Sequence, residues 1–276
     1  HTITVPTYVE HFVHDRKADS INWKCLKNLG IGGDYFPEQS EIYVNEFLKN
    51  HGSSSIAEKG YGMTENSSTA GVCLVGVNKT NSLGIPLPLN TYGIFERGTD
   101  KELKYGEEGE ICITGPTEMI GYLDNEEEEG KIIKIHSDGK KWIHSEDVGI
   151  IDEDGFLFFK GRYKRLIPHG GFKLYPSYIE GVIMKHPDID NCCVISIPDK
   201  VYGASPEAHV VIKKDSVSEL KKLKEELIKL CQDKLPSYSQ PEDFIFEEDL
   251  PLTSVGKVDY KKVEKMRIKK LEESTK

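Results

Sequence analysis

Apolar positions change their spacing twice along this chain. Residues 22–33 end in Leu-Gly-Ile-Gly-Gly, and the glycines permit a tight turn or close approach of backbone to a ligand, so a strand entering a loop is expected. After Pro37, Ile42, Val44, Phe47 and Leu48 recur near helical spacing until Gly52 and the following serines, which predicts one helix. From residue 70 to about 159 the pattern shortens to β-type runs, among them residues 72–77, 110–114 and 156–159, separated by Gly, Pro and Asp-Gly turns. Past Gly161 the order is mixed. Ser177-x-x-Glu180 reads as a capping box opening a helix, and strands follow near residues 192–197 and 208–212. Ser216 with Glu219 reads as a second capping box ahead of a leucine face (Leu220, Leu223, Leu227, Leu230) that Pro236 ends. For so short a run, a core-facing helix is the better reading than a partner-binding surface.

Length and charge narrow the class. At 276 residues one large plus one small domain is expected. No apolar run reaches the roughly 18 residues of a membrane-spanning helix, so no integral membrane segment is expected. A net charge of −10 argues against a nucleic-acid partner, because duplex binding rests on Lys and Arg contacts to phosphates. Six cysteines show no C-x-x-C pair and histidines do not cluster in sequence, so metal-site spacing is missing and reduced core thiols in a cytoplasmic protein are the expectation. The first residues carry no basic-then-apolar leader, and the chain is expected to begin mid-protein. The acidic run at residues 126–129 reads as a solvated loop or helix end.

Four segments carry candidate chemistry. Gly60-Tyr61-Gly62-Met63-Thr64-Glu65 sets an aromatic face suited to adenine, a hydroxyl suited to a phosphate oxygen and a carboxylate suited to Mg²⁺ on one glycine-flanked loop. A plain turn capped by Thr64 explains about half of such segments. Trp142-Ile143-His144-Ser145-Glu146-Asp147 places Asp147 at a strand boundary, where a carboxylate accepts two hydrogen bonds from ribose hydroxyls or merely organises its own turn. Lys160-Gly161-Arg162-Tyr163-Lys164-Arg165, running into Gly170-Gly171-Phe172-Lys173, mixes fixed charge with flexible backbone, as a solvated linker also does. The last is a hairpin-like turn at residues 250–259 that projects Lys257, a mobile point charge able to stabilise a developing anion or to sit idle on the surface.

In this order and spacing, the four segments resemble the core motifs of the adenylate-forming superfamily, which comprises acyl-CoA synthetases, adenylation domains of peptide synthetases and firefly luciferase. The resemblance runs over nearly the whole chain, through Gly84-Ile85-Pro86, residues 109–115 and Gly121-Tyr122. It implies that Tyr61, with Gly62, lies on adenine, that Thr64 meets the α-phosphate and that Glu65 binds Mg²⁺. Asp147 and Arg162 become ribose contacts, Lys164 a hinge and Lys257 the catalytic lysine. Gly32 and Gly33 fall beside the acyl pocket and adenine, and Gly170 and Gly171, with Lys173 just beyond, along the CoA pantetheine. Two departures stand out. Ser145-Glu146-Asp147 replaces the usual Thr-Gly-Asp, and Pro168 stands where Lys or Arg is common. The Ser/Thr/Gly-rich phosphate loop ending in Pro-Lys has no match in the 276 residues.

The implied fold is α/β plus α+β. Residues 1–161 form the C-terminal portion of a large AMP-binding α/β domain with a β-rich subdomain, and residues 162–276 a small mobile α+β domain. The implied parent activity is an acyl-CoA ligase: a fatty or other hydrophobic carboxylate and ATP give acyl-AMP and pyrophosphate, and CoA then displaces AMP. The missing N-terminal region would supply the phosphate loop, so the segment alone is expected to be inactive. Two alternatives stay open, an adenylation domain that loads a carrier protein and a short non-catalytic nucleotide-binding protein. Lack of a carrier-like segment after Lys257 favours the ligase, and intact Lys257, Glu65 and Asp147 favour an enzyme. Acyl substrate and oligomeric state are not legible.

Overall fold

The computed structural model describes residues 1–214, 216, 219–254 and 256–274, with the side chain of Ser274 excepted. The chain divides into two compact units, His1–Lys160 and Gly161–Lys276. The elements form the α/β plus α+β mixture that the sequence predicts.

The first unit opens with a parallel trio: β1 (Thr2–Thr4), β2 (Leu29–Ile31) and β3 (Ala57–Met63). α1 (Pro6–His14) and α2 (Glu38–Asn50) pack beside them. β3 then turns back antiparallel into β4 (Ser68–Val72), which pairs with β5 (Ile85–Pro86). Val9, Val13, Leu29, Val44, Leu48 and Ala57 form this lobe's core. α2 lies where its period predicts, but Ile42 faces solvent. Glu41 takes the inward position instead, 1% exposed, and meets the equally buried Lys59 Nζ at 2.6 Å. Two buried charges are tolerated only as a pair. The expected strand at residues 72–77 stops at Val72, and a tight loop closed by the Leu74 and Val77 backbones follows.

A second sheet continues the unit. Its strands are β6 (Thr91–Phe95), β7 (Gly109–Thr114), β8 (Ile133–Ile135), β9 (Lys141–Ile151) and β10 (Leu157–Arg162), in the order β10-β9-β7-β6 with β8 also on β9. The acidic run becomes the first turn of α3 (Glu126–Ile132), where Glu127 and Glu128 pair with Lys131. Acids in a first turn complement the helix dipole.

The second unit is helix on sheet on helix. A hairpin, β11 (Ile167–His169) and β12 (Phe172–Leu174), precedes α4 (Pro176–Ile183). β13 (Ile189–Asp199) runs antiparallel to β14 (Gly203–Ile212), and β15 (Asp243–Glu247) adds in parallel. α5 (Leu220–Lys234) and α4 cover one face, where Leu223, Leu227 and Cys231 meet Cys192 and Val194. The other face, with Cys193 and Ile195, packs on Val263 of α6 (Tyr260–Ser274). Period-2 alternation thus sends the two neighbouring cysteines to opposite cores. All six cysteines are free, and all but Cys25 are buried.

Neither helix starts directly behind the serine of its expected box. α4 starts at Pro176 behind Tyr175, and Glu180 instead accepts the Val194 amide at 2.8 Å and pairs with Arg165. α5 starts at Leu220 behind Glu219, so Ser216 lies too early and Leu220 is solvent-exposed. Among the described residues no helix is long and apolar enough to cross a membrane.

Candidate active site

Tyr61 and Asp147 are 86 residues apart, and the fold brings them together. Tyr61 ends the straight part of β3, and its O–H donates to Asp147 Oδ2 at 2.9 Å. Both residues are buried, at 7% and 8% exposure, and Tyr92 meets the Tyr61 ring edge-on at 6.0 Å. Burial, and then the Asp147 charge, raises the phenol's pKa well above its ordinary value, so the hydroxyl stays protonated and donating.

Asp147 is not at a strand boundary, as its sequence setting suggested. It lies inside β9, at an irregularity where the β7–β9 register jumps from Glu110↔Val148 to Cys112↔His144. Three residues of β9 (Ser145, Glu146 and Asp147) there oppose one of β7, so the strand bulges and re-aims its side chains. Glu146 has φ +59°, the left-handed region that a non-glycine residue occupies at a cost of about 1 to 3 kcal/mol. The departure from Thr-Gly-Asp thus puts a glutamate at a glycine-type position. Ser145 stitches the bulge, its hydroxyl donating to Ile111 O at 2.6 Å and accepting from the Asp147 amide at 3.1 Å.

Gly62 follows at a second bulge, where β3 slips against β4. Its backbone runs so close to β4 that an added Cβ would stand 1.6 Å from Ser68 O. Gly62→Ala is therefore expected to force the strands apart and cost about 1 to 3 kcal/mol. Urea unfolding measures it, and an unchanged midpoint would show that the strands yield freely.

Thr64 is exposed in a short 3₁₀ turn, and Glu65 is half-buried beside it. Tyr122 donates its hydroxyl to Glu65 Oε1, and the phenol's pKa rises to about 12, first through burial and then through that carboxylate. The Met119 amide also donates to Glu65 O at 2.8 Å. Tyr122 had shown in the sequence only as part of a connecting piece. Gly32 and Gly33 follow the end of β2, Gly33 exposed with φ +85°.

The remaining candidates belong to the second unit. Arg162 is exposed just ahead of the short turn that holds Lys164 and Arg165. Arg165 itself lies against Glu180 and over the Tyr260 ring at 4.8 Å. Gly170 and Gly171 are the two loop residues of the β11–β12 hairpin, with φ +55° and +89°. Such a loop requires positive φ at both positions, which accounts for two adjacent glycines whatever else they do. Lys173 is exposed opposite Pro168. Lys257 is exposed on a turn locked by Thr253: the Thr253 amide donates to Lys257 O at 2.7 Å, and the Lys257 amide to Thr253 Oγ1 at 3.2 Å. Leu252 and Val258 close that turn as an antiparallel bridge, and Val255 lies outside the described residues.

One group escaped the sequence reading, which found no histidine cluster. Glu110 and Cys112 on β7, His144 on β9 and His136 before it are all buried together. His144 Nδ1 is 3.0 Å from Glu110 Oε2 and 3.5 Å from Cys112 Sγ, and its Nε2 is 2.9 Å from His136 Nε2. Only strand pairing assembles this set, although the period of two in Glu110-x-Cys112 puts both side chains on one face of β7.

Comparison with known proteins agrees with this architecture. The family model described as AMP-binding enzyme matches residues 1–123, and that described as AMP-binding enzyme C-terminal domain matches residues 178–257. A long-chain-fatty-acid–CoA ligase of Escherichia coli O157:H7 is 32% identical over 92% of this chain and 43% of its own length. A probable 4-coumarate–CoA ligase 1 of Dictyostelium discoideum is 31% identical over 92% and 44%. Among solved structures, o-succinylbenzoate CoA synthetase from Bacillus subtilis with its acyl-adenylate superposes with TM-score 0.79 at 26% identity, over 95% of this chain and 50% of that one. The anthranilate CoA ligase AuaEII with anthranoyl-AMP gives 0.82 at 21% identity, over 96% and 49%, a likeness of fold. The chain spans about half the length of these relatives. With both family models matched in order and its fold shared with them, the chain belongs to the family of AMP-binding, adenylate-forming enzymes.

Proposed function

We propose that this chain is the C-terminal portion of an AMP-forming acid–thiol ligase that converts a carboxylate to its acyl-AMP and passes the acyl group to CoA. The observation that carries the reading is the Tyr61–Asp147 hydrogen bond, which joins an aromatic residue and a carboxylate from distant motifs at 2.9 Å. In this reading residues 1–161 are the end of the large domain and residues 162–276 the small mobile one, with a hinge near Lys164. Tyr61 and Gly62 receive adenine, with Gly32 and Gly33 beside the base and the acyl group. Asp147 and Arg162 accept and donate at the ribose hydroxyls, and Thr64 donates to the α-phosphate.

Glu65 suits a hard cation, because Tyr122 occupies Oε1 and no hydrogen bond to Oε2 occurs among the described residues. Mg²⁺ held there would offset phosphate charge. Lys257 belongs to the adenylation step, where its ammonium stabilises charge that develops between carboxylate and α-phosphate. Gly170, Gly171 and Lys173 belong to the thioester step, along CoA. Arg165 is given no CoA contact, since Glu180 and Tyr260 already hold its guanidinium. CoA is preferred to a carrier protein because the two CoA ligases at 31–32% identity, by their names, use it. The six free thiols, five of them buried, are consistent with a reducing, cytoplasmic setting for this enzyme.

The test is made on this chain alone. Incubated with MgATP and a panel of carboxylates, it is expected to release no pyrophosphate above background, since it contains no Pro-Lys phosphate loop. It is expected to bind AMP weakly, and Asp147→Asn to weaken that binding about tenfold, the worth of one hydrogen bond to a charged group. Pyrophosphate release by the chain, or AMP affinity indifferent to Asp147, contradicts the reading.

A further inference from the structure

Asp147 follows directly on the left-handed Glu146, and the neighbouring strand binds the amide of that glutamate as Ser145 binds the amide of Asp147. Glu110 reaches across from β7 and takes three donors on one buried carboxylate. The Glu146 amide donates to Oε1 at 3.1 Å, and the Gly98 amide and His144 Nδ1 donate to Oε2 at 3.3 and 3.0 Å. Its side chain is 4% exposed. Burial alone would push this carboxyl's pKa up, but His144 and the two amides outweigh burial and hold it below the ordinary value.

The histidine pair fixes the donor. With His144 Nδ1–H given to Glu110, His144 Nε2 is an acceptor, and His136 Nε2–H must fill it at 2.9 Å. His136 Nδ1 then carries a lone pair and no proton, and it is the His136 atom with no hydrogen-bond partner. A bare acceptor there is the less costly arrangement, so the whole set has one consistent pattern of protons. Glu110, Cys112 and His144 also offer oxygen, sulfur and nitrogen atoms within 4.8 Å of one another, the spacing of a metal site. Three donors already satisfy the carboxylate, however, and burial keeps the Cys112 thiol protonated. A hydrogen-bonded brace accounts for the cluster without an ion.

We infer that Glu110 is a positioning residue for the nucleotide's ribose: by binding the Glu146 amide it fixes the left-handed bulge that aims Asp147. This rests on the reading of Asp147 as the ribose contact. Without the Glu110 anchor, Glu146 relaxes toward negative φ and rotates the Asp147 peptide, because the two residues share it. A glycine at position 146 adopts the left-handed form unaided.

The experiment measures binding of AMP and of 2′,3′-dideoxy-AMP to this chain by ¹H–¹⁵N shift titration, for the unsubstituted protein, Glu110→Gln, Glu146→Gly and the double variant. The unsubstituted chain is expected to favour AMP about tenfold, as one charged hydrogen bond predicts. Glu110→Gln should bring that ratio near one while dideoxy-AMP binding stays within about twofold. The double variant should recover most of the ratio, a coupling that independent sites do not show. A role limited to stability would weaken both nucleotides alike. Equal affinities in the unsubstituted chain would overturn the Asp147 reading and this inference with it. A normal ratio in Glu110→Gln, or a double variant no better than the single, would overturn the inference alone.

Discussion

Lys257→Ala, made in an enzyme that carries this segment, is expected to lower acyl-AMP formation by about 100- to 1,000-fold, the effect of removing one placed electrostatic donor. Thioester formation from supplied acyl-AMP should stay within a fewfold of the unsubstituted rate, because the lysine is assigned to the first step only. The structure gives the reason to expect a sharp effect. Thr253 ties the Lys257 amide and carbonyl, and Gly256 turns the chain with φ +81°, so the backbone that carries the ammonium is fixed. Pyrophosphate exchange and single-turnover thioester assays measure the two steps separately. An effect below tenfold on the first would remove Lys257 from its role, and equal loss in both would mark a folding defect.

Arg267→Ala should be the most damaging change to the second unit. Glu207, with its side chain 2% exposed, accepts Arg267 Nε at 2.7 Å and Nη2 at 2.8 Å, and His209 Nε2 lies 3.1 Å from it. Burial pushes this carboxyl's pKa up, yet His209 and Arg267 together hold it down to about 2. Removing the guanidinium leaves a buried carboxylate short of its partner, at a cost of about 3 to 5 kcal/mol. The pH dependence follows in sign. The folded pKa lies below the ordinary 4.5, so this stabilisation is complete above about pH 4.5 and fades as pH falls toward 2. Urea midpoints between pH 7 and pH 3 should drop steeply in the unsubstituted chain and less so in Arg267→Ala. Parallel curves would show that the pair does not govern acid stability. Because α6 begins at Tyr260, loosening it also frees the turn of Lys257.

The sequence made the elements legible where burial follows a simple period. α2, β7 and the β13–β14 pair lie where apolar spacing puts them. It misled where side chains serve tertiary partners. Glu180 reads as half of a capping box but faces Arg165 and β13, and Glu41, outside the apolar set that predicts α2, is buried on Lys59. Neither partner lies within a helix turn in sequence, so no local pattern reveals it. At the candidate site, the motifs identified Tyr61 and Asp147 individually, but not that they touch or that Asp147 lies mid-strand on a bulge. That placement depends on register between β7 and β9, and so does the Glu110 brace behind it. The departure at Glu146 was visible as a residue change, and its left-handed φ gives that change a physical meaning.

The proposed activity is tested most directly by product analysis of the enzyme that carries this segment, given a hydrophobic carboxylate, MgATP and CoA. Mass spectrometry and nucleotide chromatography are expected to find acyl-CoA, AMP and pyrophosphate in equal amounts, with acyl-AMP accumulating when CoA is withheld. ADP and orthophosphate as the nucleotide products, or a thioester formed on a carrier protein and none on free CoA, would contradict the assignment.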